Sequence, residues 1–297
     1  MNVIDAINQH PWLLEAALFL LGLCVGSFLN VVIYRLPVMM EKQWRSDCRE
    51  LLEPESTPEE GEQKAFNLST PNSHCPHCDH AIAPWENIPL FSYLFLRGRC
   101  SNCAEKISLR YPAIELLSGV LALVLGLQFG EAGFALLGAL IFTWSLLALT
   151  MIDIDHQLLP DDITLPLMWL GLLFNMFGTF ASLPNAVLGA MAGYLSLWSI
   201  YWLFKLITGK EGMGYGDFKL LAALGAWLGW QALPMIVLLS SLVGAVLGGF
   251  ILFMQRRGKD IPMPFGPYLA IAGWIAFLWG SQLMTWYWNV AGLQSTP

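Results

Sequence analysis

The sequence predicts an all-α polytopic membrane protein of about eight transmembrane helices, with a cysteine-bearing loop domain between the first two. Three observations predict it. Only 12% of the 297 residues are Asp, Glu, Lys or Arg, whereas 56% are hydrophobic and the mean hydropathy is +0.56. Apolar runs long enough to cross hydrocarbon recur along the chain. The basic residues all gather on one side of the alternation that those runs impose.

The charged fraction is about half that of an ordinary soluble domain. Too little polar surface remains to cover a water-soluble globule of this size. The same composition excludes a disordered chain, a collagen-like fibre and a small disulfide-stapled module.

A hydrocarbon core of roughly 30 Å takes about 20 residues of apolar helix. Runs of that kind fall at Trp12–Tyr34, Tyr111–Phe129, Ala132–Ile152, Ile163–Ala181, Asn185–Ile207, Ala232–Met254 and Gly266–Trp288. Phe218–Trp230 is apolar but short: a stubby span, a re-entrant segment or the start of a longer, bent helix. No Lys or Arg precedes Trp12 and the first run is too long for a signal-peptide core, so it reads as an uncleaved span.

Charge chooses among the topologies. With Phe218–Trp230 counted as a crossing and the amino terminus outside, the inner segments are Arg35–Arg110, Asp153–Asp162, Thr208–Asp217 and Gln255–Phe265. All 15 Lys and Arg residues lie in these segments or within a few residues of them. Omitting that crossing puts Arg256, Arg257 and Lys259 outside. The positive-inside rule therefore favours eight crossings with both termini outside. The expected organisation is a first helix at 1–34, an inner loop at 35–110 and a seven-helix membrane domain at 111–297. Glu41 to Glu62 carries eight acids against three basic residues, with prolines and no hydrophobic period, and reads as a solvated, partly flexible loop. It accounts for most of the net charge of −7, and no nucleic-acid partner is expected.

Four of the six cysteines read Cys75-Pro-His-Cys78 and Cys100-Ser-Asn-Cys103. Two such knuckles supply four thiolates to a tetrahedron, the arrangement of structural zinc sites. Disulfides are the alternative, but the charge count puts the loop in a reducing compartment. A closed tetrathiolate leaves no open position, so this metal is expected to be structural. Cys24 and Cys48 read as incidental.

Carboxylates at the edge of hydrocarbon are costly and usually mark function. They occur in Asp153-Ile-Asp155-His-Gln-Leu-Leu-Pro-Asp161-Asp162 and in Gly212-Met-Gly214-Tyr-Gly216-Asp217-Phe-Lys219. Both stretches fall at the inner face in the topology above. Two carboxyls brought together can share a proton, one polarising a carbonyl while the other draws a proton from water. Gly214 and Gly216 let the backbone approach an extended peptide closely or take positive φ. The plainer alternative is acids that end or start helices, and Asp161 and Asp162, just after Pro160, suit a helix start.

Taken in order, these motifs resemble the type IV prepilin peptidases, bacterial inner-membrane aspartic peptidases of the GxGD kind. The resemblance runs through Gly26-Ser-Phe-Leu-Asn-Val-Val-Ile-Tyr-Arg-Leu-Pro37, the two C-x-x-C pairs, Asn87-Ile-Pro-Leu-Phe-Ser-Tyr93 and Leu96-Arg-Gly-Arg-Cys100. It continues through Ser108-Leu-Arg-Tyr-Pro-Ala-Ile-Glu115, the Asp153 stretch and the Gly212 stretch. Only the acidic loop and the last two helices lack a matching motif.

The resemblance implies Asp153 and Asp217 as the catalytic pair. It also implies cleavage of the short basic leader of type IV prepilins and type II secretion pseudopilins, after a glycine at the cytosolic face. Many members then methylate the new amino terminus with S-adenosylmethionine. Asp155, Asp161 and Asp162 would attract the basic leader. No strand-loop-helix with a G-x-G motif marks a methyl-donor site; Asn30, Arg35 and Glu115 are polar residues in or beside spans, readable equally as helix-to-helix hydrogen bonds or snorkelling. A proton-coupled transporter would require inverted repeats, which the sequence does not show. A zinc-bearing scaffold would tolerate Asn at positions 153 and 217.

Overall fold

The computed structural model describes residues 10–52, 66–255 and 264–290. Arg256, Arg257 and Lys259, used in the charge argument, lie outside these residues, as does Glu53 to Glu62 of the acidic stretch. Eight long helices account for most of the described chain: α1 (Pro11–Leu52), α2 (Arg110–Phe129), α3 (Phe134–His156), α4 (Asp161–Met176), α5 (Leu183–Thr208), α6 (Tyr215–Leu228), α7 (Leu233–Gln255) and α8 (Gly266–Val290). Each coincides with one of the apolar runs. Five are long and apolar enough to cross a bilayer among the described residues: α1, α2, α3, α5 and α8. Contacts divide the chain into two units, Met1–Ala132 and Gly133–Pro297.

In the first unit α1 and α2 run antiparallel with their backbones nearly touching. A Cβ at Gly22 would stand 2.7 Å from the Gly119 Cα, and one at Gly26 would stand 2.7 Å from the Glu115 Cα. Small residues four apart permit this approach, as in close-packed membrane helix pairs. Ser118 Oγ donates to the Gly22 carbonyl at 2.6 Å and Asn30 Nδ2 to the Tyr111 carbonyl at 3.1 Å.

The expectation of an acidic loop from Glu41 needs correction, because α1 continues as helix to Leu52. Hydropathy marks where a helix leaves the membrane, not where it stops. Residues 38–52 contain good helix formers and no Gly or Pro, and Glu41–Arg45 and Gln43–Asp47 pair at i,i+4. At 1.5 Å per residue α1 is about 63 Å long, twice a bilayer core. Downstream, the buried Arg35 guanidinium donates to the carbonyls of Asn67, Leu68 and Pro71, fastening the start of the cysteine loop to α1.

In the second unit α6 is the centre. Phe218, Leu220, Leu221, Ala223, Leu224, Ala226 and Trp227 are all fully buried, enclosed by α4, α5 and α8. Gly189 and Gly193 of α5 lie directly on the α6 backbone, at Gly225 and Leu221. The short apolar run is therefore a separate helix of about 21 Å that ends at Gly229 (φ +80°), not the start of a bent one. Asn175, buried at the end of α4, gives both its amide hydrogens to the Ala226 and Trp227 carbonyls and accepts from the Phe180 and Ala181 N–H groups. Trp227 Nε1 donates to the Leu167 carbonyl. A buried polar side chain this fully satisfied fixes where α6 stops.

Candidate functional sites: a thiol cluster and a carboxylate pair

The cysteine segment folds as two copies of one local device. In each, the N–H of the first cysteine binds the carbonyl five residues on: Cys75 to His80, and Cys100 to Glu105. The residue after the second cysteine donates back to the first cysteine's carbonyl: Asp79 to Cys75, and Ala104 to Cys100. That residue takes a left-handed conformation both times, φ 55° at Asp79 and 58° at Ala104. A single antiparallel bridge closes each copy, His74 with Ala81 and Arg99 with Lys106.

The two copies bring the four sulfurs within 4.8 Å of one another. Cys75 and Cys103 are 3.8 Å apart and Cys78 and Cys100 3.9 Å, and none is bridged. A tetrahedron with metal–sulfur bonds of about 2.3 Å has its sulfurs about 3.8 Å apart, so the cluster fits a metal ion such as zinc. The backbone N–H groups of Cys103 and Asn102 push the Cys100 thiol down to about 6. The His80 N–H and the Asn102 side chain, whose Nδ2 lies 3.6 Å from the sulfur, lower Cys78. Cys103 receives the Glu105 N–H, yet burial and three neighbouring thiols push it up to about 12. Thiols this close resist full ionisation until a cation stands between them.

The carboxylate pair lies in the second unit. Asp153 is in the last turn of α3, where the Gln157 N–H binds its carbonyl and Gln157 turns the chain back with φ 52°. Asp217 is in the first turn of α6, its N–H on the Gly214 carbonyl at 3.3 Å. The two are 5% and 7% exposed. The start of α8 completes the surroundings. The Gly266 N–H is directed toward the Asp153 carboxylate, and a Cβ there would stand 2.5 Å from Oδ2. Oδ2 is buried with no hydrogen-bond partner among the described residues. Two helix N-termini, those of α6 and α8, thus direct partial positive charge at the pair.

The remaining acids form a different group. Asp155, Asp161 and Asp162 are exposed, and Asp161 and Asp162 occupy the first turn of α4, as their position after Pro160 suggests. Asp161 accepts both oxygens' worth of contact from Lys219 Nζ, at 2.7 Å each. Neither Gly214 (φ −78°) nor Gly216 has a positive φ. Gly216 serves close approach instead, since a Cβ there would meet Leu159 at 2.8 Å. Gly214 is exposed, and among the described residues a Cβ there would meet only Asp217 Oδ2 at 3.9 Å and the Gly216 N at 4.0 Å beyond its chain neighbours.

Comparison with known proteins follows the same division. Residues 20–129 match the Bacterial Peptidase A24 N-terminal domain, and residues 140–249 match the Type IV leader peptidase family. A prepilin leader peptidase/N-methyltransferase of Stutzerimonas stutzeri is 57% identical over 296 residues, covering 99% of this chain and all of that protein. The chain belongs to the type IV leader peptidase family. Proteins of the same description from Aeromonas hydrophila (57% over 286 residues; 96% of this chain and 97% of the relative) and Pseudomonas aeruginosa (56% over 297 residues; 99% and 100%) are similarly close. No solved structure matches. By this membership the chain is a membrane-embedded peptidase, and its relatives carry methyltransferase activity in their name.

Two residues of this peptidase escaped the sequence reading. Gly266 opens the last apolar run, and Pro264-Phe-Gly-Pro267 is an evident helix start, but no motif in the last helices ties it to the acids. Leu159 carries no chemistry that a sequence would single out. Its buried side chain in fact packs at both Gly216 and Gly266, beside both aspartates. The three polar residues raised for a methyl donor are already engaged: Asn30 on Tyr111, Arg35 on three loop carbonyls, and buried Glu115 on the Leu90 N–H at 2.9 Å.

Proposed function

We propose that Asp153 and Asp217 are the catalytic pair of an aspartic peptidase that removes the short basic leader from prepilins and type II secretion pseudopilins. The cut follows a glycine at the cytosolic membrane face. The enzyme then methylates the new amino terminus, with S-adenosylmethionine as donor. The observation that carries the peptidase reading is two nearly buried carboxyls, distant in sequence, at the end of α3 and the start of α6, with the buried Leu159 side chain packed both at Gly216 beside Asp217 and at Gly266 against Asp153.

Such a pair holds one proton, because like charges a few ångströms apart resist double ionisation. The ionised member takes a proton from water as its oxygen bonds to the substrate carbonyl carbon, and the protonated member gives its proton to the carbonyl oxygen. Collapse of the resulting diol breaks the carbon–nitrogen bond: the departing amine takes the proton drawn from water, and one diol hydroxyl returns its proton to the other aspartate, so the pair again holds one proton. The unpartnered Asp153 Oδ2 offers an acceptor for that water. Exposed Gly214 suits an extended peptide laid along the backbone. The exposed Asp155, Asp161 and Asp162 would attract the basic leader, and Asp161 already holds a lysine ammonium, that of Lys219.

Zinc is the metal suited to Cys75, Cys78, Cys100 and Cys103. It would cross-link the two knuckles and leave no position open for substrate. The distribution of basic residues supports an inner-membrane protein with cytosolic loop and active site and periplasmic termini.

The test is intact-mass spectrometry of a prepilin incubated with the purified enzyme, with and without S-adenosylmethionine. Loss of the leader with wild type, but not with Asp153→Asn or Asp217→Asn, supports the pair. A donor-dependent gain of one methyl group supports the second activity. Cleavage by either Asn variant removes that residue from the pair.

A further inference from the structure

The segment between the two knuckles exposes an unusual amount of aromatic and aliphatic surface. Trp85, Ile88, Phe91, Leu94 and Phe95 all face outward, Phe95 at 94% exposure. They cluster on a 3-10 turn (Pro84–Asn87) and a one-turn helix (Phe91–Phe95) that follow each other directly. The segment is not loose. Gly98 closes it against the Tyr93 ring, where a Cβ would stand 2.6 Å from the hydroxyl, and Gly98 N–H binds the Tyr93 carbonyl.

Its height relative to the membrane follows from one hydrogen bond. Leu90 N–H is held by Glu115, five residues into α2. With 20 residues, α2 is about 30 Å long, just the thickness of the hydrocarbon core. Its first turns must therefore stand at the membrane boundary, and Glu115 lies about 7.5 Å inside the start of the helix. Trp85 and Ile88 precede Leu90, and Phe91, Leu94 and Phe95 follow it, all within five residues in the chain. Arg97, Arg99 and Lys106 are exposed close by in sequence, against Glu86 and Glu105 as the acids between residues 84 and 106.

We infer that this segment docks into the membrane interface, with Trp85, Phe91, Leu94 and Phe95 immersed at the boundary of headgroups and acyl chains and Arg97, Arg99 and Lys106 on anionic lipid headgroups. The segment is tied to a helix long and apolar enough to cross a membrane, and basic residues beside aromatic ones match the composition of interfacial anchors. Each basic side chain near an anionic surface adds attraction that salt screens. The metal-binding loop is thereby a platform pinned to the bilayer at its middle, between the two knuckles. The inference does not depend on which peptide the enzyme cuts.

The experiment places the photo-crosslinking residue benzoylphenylalanine at Phe95 in the full-length, zinc-loaded protein, reconstituted in nanodiscs containing phosphatidylglycerol. Phe95 is almost fully exposed, so an aromatic replacement leaves the fold intact. The control position is Glu50, exposed on α1 and about 30 Å along the helix beyond Asn30, which pairs with the start of α2. Irradiation should add the mass of a phospholipid at Phe95 and not at Glu50. In the Arg97→Gln/Arg99→Gln variant the adduct yield should fall several-fold in phosphatidylglycerol discs and stay unchanged in phosphatidylcholine discs. Absence of a lipid adduct at Phe95 overturns the inference. So does a cross-link to a second copy of the chain in place of lipid, or a yield indifferent to the two arginines in both lipids.

Discussion

Each half of the thiol cluster folds on itself: within eight residues, hydrogen bonds and one left-handed residue aim two sulfurs, and only then must the halves meet. Asp153 and Asp217 are aimed by nothing local. Asp153 is where it is because α3 ends there, and Asp217 because α6 is locked among α4, α5 and α8 by Gly189, Gly193 and Asn175. One site is specified by short-range backbone geometry that suits a cation, the other by burial of a whole helix. The two should therefore fail independently.

The largest effect is expected from Cys100→Ser/Cys103→Ser. Binding of structural zinc contributes on the order of 10 kcal/mol to small domains. Two lost ligands should empty the site, and the amides of Cys75, Cys100 and Ala104 should lose hydrogen-exchange protection. Amides of α6 should keep theirs, and leader cleavage should persist. Loss of α6 protection would break the comparison.

The reciprocal substitution is Asp153→Asn or Asp217→Asn. Either should lower kcat on the order of 10⁴-fold, as removal of one member of a cooperating catalytic set does. Zinc content and melting temperature should stay at wild-type values, because Asn matches Asp in size and removes a buried charge. A lowered zinc content would show the sites to be coupled.

This contrast also decides what could be read from the sequence. The paired C-x-x-C spacing was legible because it contains its own geometry. The eight apolar runs were legible because hydrocarbon imposes a length. Any pairing of the acids could be read only from the order of motifs along the chain, since periodicity says nothing about which helix ends meet. Gly266 was invisible because its role is to have no side chain beside a residue more than a hundred positions earlier. The helical continuation of α1 to Leu52 was missed because a polar, acidic stretch reads as loop, while i,i+4 pairs and the absence of a breaker keep it helical.

Gly266→Ala sharpens the comparison on the acid side. Its methyl group would stand 2.5 Å from Asp153 Oδ2 and 3.1 Å from Leu159 Cδ1, so the carboxyl must move. A displacement of about 1 Å at a catalytic group costs about 10²-fold in rate. kcat should fall by that order with KM little changed and zinc retained. Wild-type kcat would mean that Asp153 tolerates displacement, and that the start of α8 is only a wall.

The smallest effect is on the thiol side, at Ala104. Both knuckles need a left-handed residue after the second cysteine, and Asp79 supplies one of the residue types that tolerate it. Ala104 does not: its Cβ crowds the following carbonyl, a penalty of about 1–2 kcal/mol, which the loss of chain freedom that glycine brings partly offsets. Ala104→Gly should therefore tighten zinc retention against a competing chelator slightly, by less than about tenfold, while kcat and the melting of the second unit stay fixed. Weaker zinc retention would mean that the Ala104 methyl group contributes packing beyond its backbone strain, and the two knuckles would then differ in how they hold themselves.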